Sequence, residues 1–343
     1  MLSLGMAIDL HPSICAYGAG VLHRQLEAMR LEIPGIRQGT DIECIHRMRV
    51  ASRRLRTALE LFGGCLPRRR LPGWQNELRT LRQSLGEARD LDVQIEVLVE
   101  FERSLAVQRG HPGVQRLLLR RRQRRTAVQE GVLAAVDQLV KDGILLQMEA
   151  RLTQFFPLVA ESLPVPSPEL IGHCSQAVIA RLSDFLMFEP FVRQPQCIEE
   201  LHQMRIAAKH LRYTIEAVEP LFGGEARKAL AALRSAQEAL GNIHDCDVWV
   251  VFLPAFMEKE RERTLRFYGH TRSLPRIKAG VDIFLQSRMA ARLTAYEGFV
   301  RDWEVWQQKG VWLKIRDAFQ PPAVGTAPGN PEADHSEALP SSE

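Results

Sequence analysis

The sequence has no run of roughly 18 consecutive apolar residues, the length that a membrane-spanning helix needs. Its N-terminal segment carries Asp9 and His11 among apolar residues, which is not typical of a secretory signal. We therefore expect a cytoplasmic protein that does not bind membranes.

Closely spaced cysteine pairs are also absent. The six cysteines lie far apart and form no Cys-x-x-Cys pair: Cys15, Cys44, Cys65, Cys174, Cys197 and Cys246. This spacing argues against a zinc cage and against a disulfide framework. We expect free thiols, most of them packed in the core, and no metal or other cofactor.

Alternation of apolar and polar residues, which would indicate strands, is scarce, and aromatic residues make up only 7% of the chain. Helical spacing recurs instead, as in Leu78, Leu81 and Leu85. The composition, 45% apolar and 25% charged, is that of a globular protein. Together these patterns predict an all-α fold.

Arginine is abundant. The 343 residues include 38 Arg and only 7 Lys, with a net charge of +4. The segment 320–343 holds four acidic residues and no Lys or Arg, which leaves +8 on the rest of the chain. Arginine is favoured where carboxylate or phosphate is bound in a planar, bidentate manner, although a GC-rich coding bias also enriches it.

An internal repeat organises the chain. The segment IHRMRVASRRLR at 45–56 recurs as LHQMRIAAKHLR at 201–212, and the block at 85–93 recurs at 240–248. The offsets, 156 and 155 residues, are nearly constant, so the two halves are predicted to form packed helical bundles related by a pseudo-two-fold axis.

The domain boundaries follow from the repeat and from composition. We assign 1–160 to the first half and 161–319 to the second, with a proline-rich linker at 157–168. The segment 320–343 is rich in Pro, Gly, Ala, Ser and acidic residues, so it is predicted to be a disordered acidic tail.

Each copy of the first block predicts a cationic stripe on a helix. Positions i, i+3, i+7 and i+10 fall within an arc of about 80°. In the first copy they are His46, Arg49, Arg53 and Arg56, and in the second His202, Arg205, Lys209 and Arg212. Neither stripe contains an acid, and a row of like charges destabilises a helix unless an anion compensates it. An anion-binding face is therefore favoured over a solvated charged surface.

The type of anion follows by exclusion. No GxxxxGK[ST] loop is present, and nucleic-acid readout usually adds aromatic side chains, whereas only Tyr213 lies beside the stripes. A repeating phosphate chain without bases fits better. Its binding is expected to weaken as salt rises, and to tighten in mild acid as the histidines become cationic below about pH 6.5.

The paired His-x-x-Arg-x-x-x-[Arg/Lys]-x-x-Arg blocks and the paired Leu-Gly-x-x-[Arg/His]-Asp-x-Asp-Val blocks resemble the CHAD domain, the conserved histidine α-helical domain. The resemblance covers about residues 15–315. It implies two pseudo-symmetric four-helix bundles around a basic central cavity. It also implies non-catalytic binding of inorganic polyphosphate and association with polyphosphate granules.

The resemblance implies a binding set of His46, Arg49, Arg53, Arg54, Arg56, His202, Arg205, Lys209, His210, Arg212 and Tyr213. To these we add further arginines of the second block, of the segment before it and of the arginine-rich run at 116–125: Arg79, Arg82, Arg89, Arg120, Arg124 and Arg234. Many CHAD domains are fused to a CYTH triphosphatase domain, but its Glu-x-Glu-x-Lys signature is absent. We therefore expect any polyphosphate-metabolising enzyme to be a separate protein.

Two other functions stay open. A nucleic-acid-binding protein would show comparable affinity for single strands, and a metal-dependent phosphohydrolase would use His244 and Asp245. The first copy has Arg89-Asp90 at the latter position, and arginine cannot hold a metal. The favoured hypothesis is that the shared aspartates orient arginines or cap a helix: Asp90, Asp92, Asp245 and Asp247. The Gly-Gly pairs at 63–64 and 223–224 are predicted helix ends.

Overall fold

The computed structural model describes residues 10–39, 41–155 and 166–320. Within these ranges it contains nine α-helices and no strand, which confirms the all-α prediction. The helices are α1 (Pro12–Gln38), α2 (Glu43–Phe62), α3 (Leu71–Ser104), α4 (His111–Lys141), α5 (Ile144–Leu152), α6 (Pro168–Leu186), α7 (Ile198–Tyr268), α8 (Leu274–Gln308) and α9 (Val311–Ala318).

The long helix α7 is kinked at Gly223, where φ is 56° and ψ is −126°. A positive φ costs glycine little, so the chain can bend sharply at this residue between two helical segments. The repeated blocks occupy matching places, with 45–56 on α2 and 201–212 on α7 before the kink, then 85–93 on α3 and 240–248 after it. Both Gly-Gly pairs mark helix ends as predicted: Gly63 caps the C-terminus of α2, and Gly223, which is not helical, separates the two helical segments of α7.

The apolar faces of α2 and α7 lie in the core. Met48 and Leu55 of α2 are fully buried, as are their counterparts Met204 and Leu211 of α7. Helical periodicity therefore leaves the cationic positions on the opposite face of each helix. Buried side chains from both halves form one continuous cluster, so the division at residue 160 stays a prediction.

The backbones of helices α4 and α8 approach each other closely where they cross, because a glycine lies on each helix at that point, Gly113 on α4 and Gly280 on α8. A Cβ atom placed on Gly280 would lie 2.8 Å from Cα of Gly113 and would overlap the carbonyl oxygen of Gly110. A smaller core of ten buried residues surrounds this crossing, with Val114 and Phe284 on its two sides. The crossing joins helices from opposite halves of the repeat.

The expectation that all cysteines are free is wrong for one pair. Cys15 at the start of α1 and Cys65 after α2 form a disulfide, with Cα atoms 5.3 Å apart. The two cysteines are 50 residues apart in the sequence, so their spacing does not predict the disulfide. The other four cysteines are free thiols; Cys197 is partly exposed and the rest are buried.

Two expectations fall partly or wholly outside the described residues. These are the proline-rich linker, of which 157–165 is not described, and the acidic tail beyond Gln320. In the ranges that are described, no helix is both long and apolar enough to cross a membrane.

Candidate anion-binding site

The helix α2, the first half of α3 and the first part of α7 together enclose a pocket of about 380 Å³. Ten residues line it: Arg49, Arg53, Arg56, Arg79, Arg82, Gln83, Ile206, Lys209, His210 and Tyr213. Six of the ten carry a positive charge or can do so at neutral pH, and none is acidic. Both cationic stripes therefore contribute to one concave surface, which we call the central pocket.

Carboxylates at the edge of this pocket hold the stripes in place. Asp90 accepts a hydrogen bond from Arg49 at 3.0 Å, and Asp245 lies 3.7 Å from Arg205. The two pairs occupy equivalent positions in the repeat. Both aspartate side chains are largely exposed, so each contacts its guanidinium group from the solvent side.

The second aspartate of each block also contacts an arginine, but this arginine does not line the central pocket. Asp92 accepts from Arg125 of α4 at 2.6 Å, and Asp247 accepts from Arg292 of α8. The hypothesis that these carboxylates orient arginines is thus confirmed. The alternative that they cap a helix is wrong, because Asp90 and Asp92 lie inside α3 and the other two lie inside α7.

The pKa values of the stripe histidines, His46 and His202, and of the neighbouring His244 are lowered. The Nδ1 atoms of His202 and His244 are 2.9 Å apart. Burial, together with the charge of Arg205, lowers the pKa of His244 to about 4. Burial also lowers the pKa of His46 and of His202. These imidazoles therefore become cationic only at lower pH than the sequence alone predicts.

His210 illustrates the same constraint from its geometry. Its Nε2 atom accepts a hydrogen bond from the guanidinium of Arg56 on the other stripe. An imidazole that accepts at Nε2 cannot carry a proton there. Burial, followed by the charge of Arg56, lowers the pKa of His210 accordingly.

Lys209 is the titratable cation of the central pocket. Burial is the main cause that lowers its pKa, and the charges of Arg205 and Arg53 add to it, so the value falls to about 7. Burial, with the charge of Arg56, also lowers the pKa of Arg82 to about 10. Both shifts arise first from burial and then from neighbouring cations, so an anion that enters the pocket would favour the charged form of Lys209.

A second pocket of about 500 Å³ adjoins the central one through Tyr213. Its lining includes the predicted residues Arg54 and Arg234, but also acids; Arg54 donates to Glu216 at 3.0 Å. Two further arginines line it that were not predicted, Arg24 and Arg227. Arg227 lies seven residues before Arg234, and this two-turn spacing on one helix face was a usable signal.

The other predicted residues lie around or away from the central pocket. The guanidinium group of Arg89 lies 3.2 Å from the carboxylate of Glu43. The guanidinium group of Arg212 lies 3.6 Å from the carboxylate of Glu216 and 4.9 Å from the ring centroid of Tyr213.

Two arginines of α4 contact acids elsewhere. Arg120 donates to Glu260 at 2.7 Å, and Arg124 donates to Glu87 at 2.9 Å. Of these two, Arg120 lines a different pocket.

Among the described residues, His244 and Asp245 are not part of a three-residue group with metal-ligand spacing. The group of this kind that the described residues contain lies elsewhere, at His23, Glu27 and Glu149. Arg30 already contacts both glutamates of that group, at 3.1 Å for Glu27. The geometry thus adds nothing in favour of a metal-dependent phosphohydrolase.

Comparison with known proteins agrees with this architecture. The CHAD domain from the plant Ricinus communis is 23% identical, with a TM-score of 0.58, over 88% of this chain and 95% of that one. PptA from Streptomyces chartreusis is 16% identical, with a TM-score of 0.57, over 84% of this chain and 99% of that one. No curated protein matches the sequence. The sequence model of the CHAD domain matches residues 20–254, more than half of the chain, and this protein therefore belongs to the CHAD domain family.

Proposed function

We propose that this protein binds inorganic polyphosphate in the central pocket. The observation that carries the proposal is the lining itself, in which five arginines and Lys209 surround one cavity without an acidic side chain. Guanidinium groups donate several hydrogen bonds in a fixed plane, which suits the tetrahedral oxygens of successive phosphates. Association with polyphosphate granules would follow from this binding.

A phosphate chain without bases fits the pocket better than a nucleic acid does. The lining contains no Phe or Trp, and the ring of Tyr213 is 5% exposed and so offers no open face for stacking. Single-stranded nucleic acids gain much of their affinity from such stacking. The adjoining pocket at Arg54 and Arg234 would accept further phosphates of a long chain.

The same lining supports binding without catalysis. Six of its side chains are cationic donors, the Nε2 atom of His210 already accepts from Arg56, and the nearby carboxylates of Asp90 and Asp245 face Arg49 and Arg205. A hydrolase would need a base or metal poised at the anion. We accordingly propose that any polyphosphate-metabolising enzyme is a separate protein partner.

The proposal is tested by binding long-chain polyphosphate and single-stranded DNA of matched charge at increasing salt. For the variant Arg49→Ala with Arg53→Ala, which removes two arginines of the lining, we expect at least about 100-fold weaker polyphosphate binding, because each charged hydrogen bond contributes about 1.5–3 kcal/mol. We also expect the wild type to bind DNA much more weakly than polyphosphate, and to lose polyphosphate affinity as salt rises.

The matched control is Arg122→Ala with Arg301→Ala, which removes the same charge from exposed positions on α4 and α8. It should leave polyphosphate affinity within about threefold of the wild type, since distant exposed charges are screened. Equal losses in both double variants, or equal affinity for the two polymers, would show that the arginines form a generic charged surface.

The affinity for polyphosphate is expected to fall by about tenfold between pH 6 and pH 8. Lys209, with a pKa of about 7, is charged below this value and neutral above it, and the anion binds the charged form. Binding should therefore take up a proton near pH 7. Calorimetric titration in buffers of different ionisation enthalpy measures this uptake, using long chains whose internal phosphates stay ionised over the range.

Lys209→Arg serves as the control because arginine keeps its proton at these pH values. This variant should bind as tightly at pH 8 as at pH 6. An unchanged pH profile in Lys209→Arg would assign the titration to another group and would contradict the role given to Lys209.

A further inference from the structure

A third basic pocket lies between α4 and the C-terminal end of α7, and it shares no residue with the central pocket. Its volume is about 430 Å³, within the range of small-molecule sites. The lining consists of Arg116, Arg120, Arg263, Thr264, Arg266, Phe267 and Tyr268. Arg120, predicted as a polyphosphate ligand, belongs here.

A single buried carboxylate organises the arginines of this pocket. The side chain of Glu260 has no exposed surface, and it accepts hydrogen bonds from Arg116 at 3.3 Å, Arg120 at 2.7 Å and Arg263 at 2.7 Å. Three guanidinium groups thus converge on one negative charge. Each remains partly exposed, between 27% and 51%, so each has donors left for a ligand.

The charge of the lining is therefore not balanced. Four arginines face one carboxylate, which leaves an excess of three positive charges among these residues. Arg266 is exposed on the last turn of α7 and adds to the excess. A multiply charged anion is the ligand class that this arrangement favours.

Aromatic side chains distinguish this pocket from the central one. Phe267 is 80% exposed and Tyr268 is 60% exposed, and both are part of the lining. Exposure of two adjacent large aromatic rings is unfavourable unless a ligand or partner covers them. The Tyr268 ring stacks on His270 on one side and meets Phe267 edge-on at 4.8 Å between ring centroids, which leaves Phe267 as the more open ring. An exposed ring next to guanidinium groups provides stacking for a base and hydrogen bonds for phosphates in one place.

We propose that this pocket binds a nucleotide. The phosphates would contact Arg116, Arg120, Arg263 and Arg266. The base would stack on the exposed ring of Phe267, which Tyr268 supports from its side. The volume suits a single nucleotide rather than a longer strand. The proposal is independent of polyphosphate binding, because no side chain of the central pocket takes part.

The test compares ATP with inorganic tripolyphosphate, which presents three linked phosphates without the nucleoside. Both are titrated into the full chain carrying Arg49→Ala and Arg53→Ala, which weakens binding in the central pocket. ATP is expected to bind at least about tenfold more tightly than tripolyphosphate, since stacking contributes about 1–3 kcal/mol per base.

Two variants in that background assign the site. Phe267→Ala with Tyr268→Ala should weaken ATP by about tenfold or more and leave tripolyphosphate unchanged. Arg266→Ala should weaken both ligands, whereas the matched control Arg122→Ala on α4 should weaken neither. All of these side chains are exposed, so the folded structure is expected to tolerate their loss.

Three results would overturn the proposal. The first is equal binding of ATP and tripolyphosphate with no effect of the aromatic variant, which would leave only a general anion surface. The second is no binding of either ligand at millimolar concentration. The third is much tighter binding of an oligonucleotide than of ATP, with the same dependence on Phe267 and Tyr268, which would assign the surface to a nucleic-acid strand.

Discussion

Replacing Gly280 by alanine is expected to lower the free energy of unfolding by about 3 kcal/mol or more. The added Cβ would overlap the carbonyl oxygen of Gly110 and lie 2.8 Å from Cα of Gly113. These are backbone atoms of α4 and of the turn that precedes it, so no side-chain rotation relieves the overlap and the crossing of α4 and α8 must open. Urea unfolding of the wild type and the variant measures the difference.

Gly131→Ala in α4 is the matched control. A Cβ at Gly131 meets nothing within 4 Å, so alanine there should stabilise the protein by about 0.5–1 kcal/mol through its higher helix propensity. Opposite signs for the two substitutions would establish that contact between the helices requires glycine at 280. Equal effects would show that the α4 and α8 crossing adapts easily.

Reversing one charge in the central pocket is expected to lower polyphosphate affinity by about 100-fold. Arg53 lines the pocket and helps to lower the pKa of Lys209. In Arg53→Glu a phosphate loses one donor and meets a carboxylate instead. The new carboxylate should also raise the pKa of Lys209, because an opposite charge nearby favours the protonated amine.

This second effect separates a local role from a change in net charge. For Arg53→Glu, the fall in affinity between pH 6 and pH 8 should move to higher pH along with the pKa of Lys209. Arg122→Glu changes the net charge of the protein equally, from an exposed position on α4, and should leave both the affinity and its pH profile close to the wild type. Similar losses in the two variants would contradict a specific central pocket.

Much of the central pocket could be predicted because helical periodicity is a local property. The spacing of Arg49, Arg53 and Arg56 determines that they share one helix face, and the buried positions Met48 and Leu55 determine that this face points away from the core. The repeat then predicted a second stripe. The all-α class and the membership of the CHAD domain family followed from the same patterns.

Charge alone did not predict which arginines act together. Arg120 and Arg124 sit in the same arginine-rich run, yet the first converges on the buried Glu260 and the second on Glu87. Sequence spacing places them on one helix but does not reveal the acid that each meets from another helix. The histidines show the same difficulty, since burial and neighbouring cations lower their pKa values in a way that depends on packing.

The sequence by itself therefore determined what depends on neighbours along the chain: helix class, the apolar and cationic faces, the repeated blocks and the family. Tertiary structure decided what depends on residues far apart in the chain, such as the disulfide between Cys15 and Cys65 and the passage of α4 past α8 at Gly113 and Gly280. It also decided the protonation of Lys209, because desolvation and the field of surrounding charges exist only after the helices have packed.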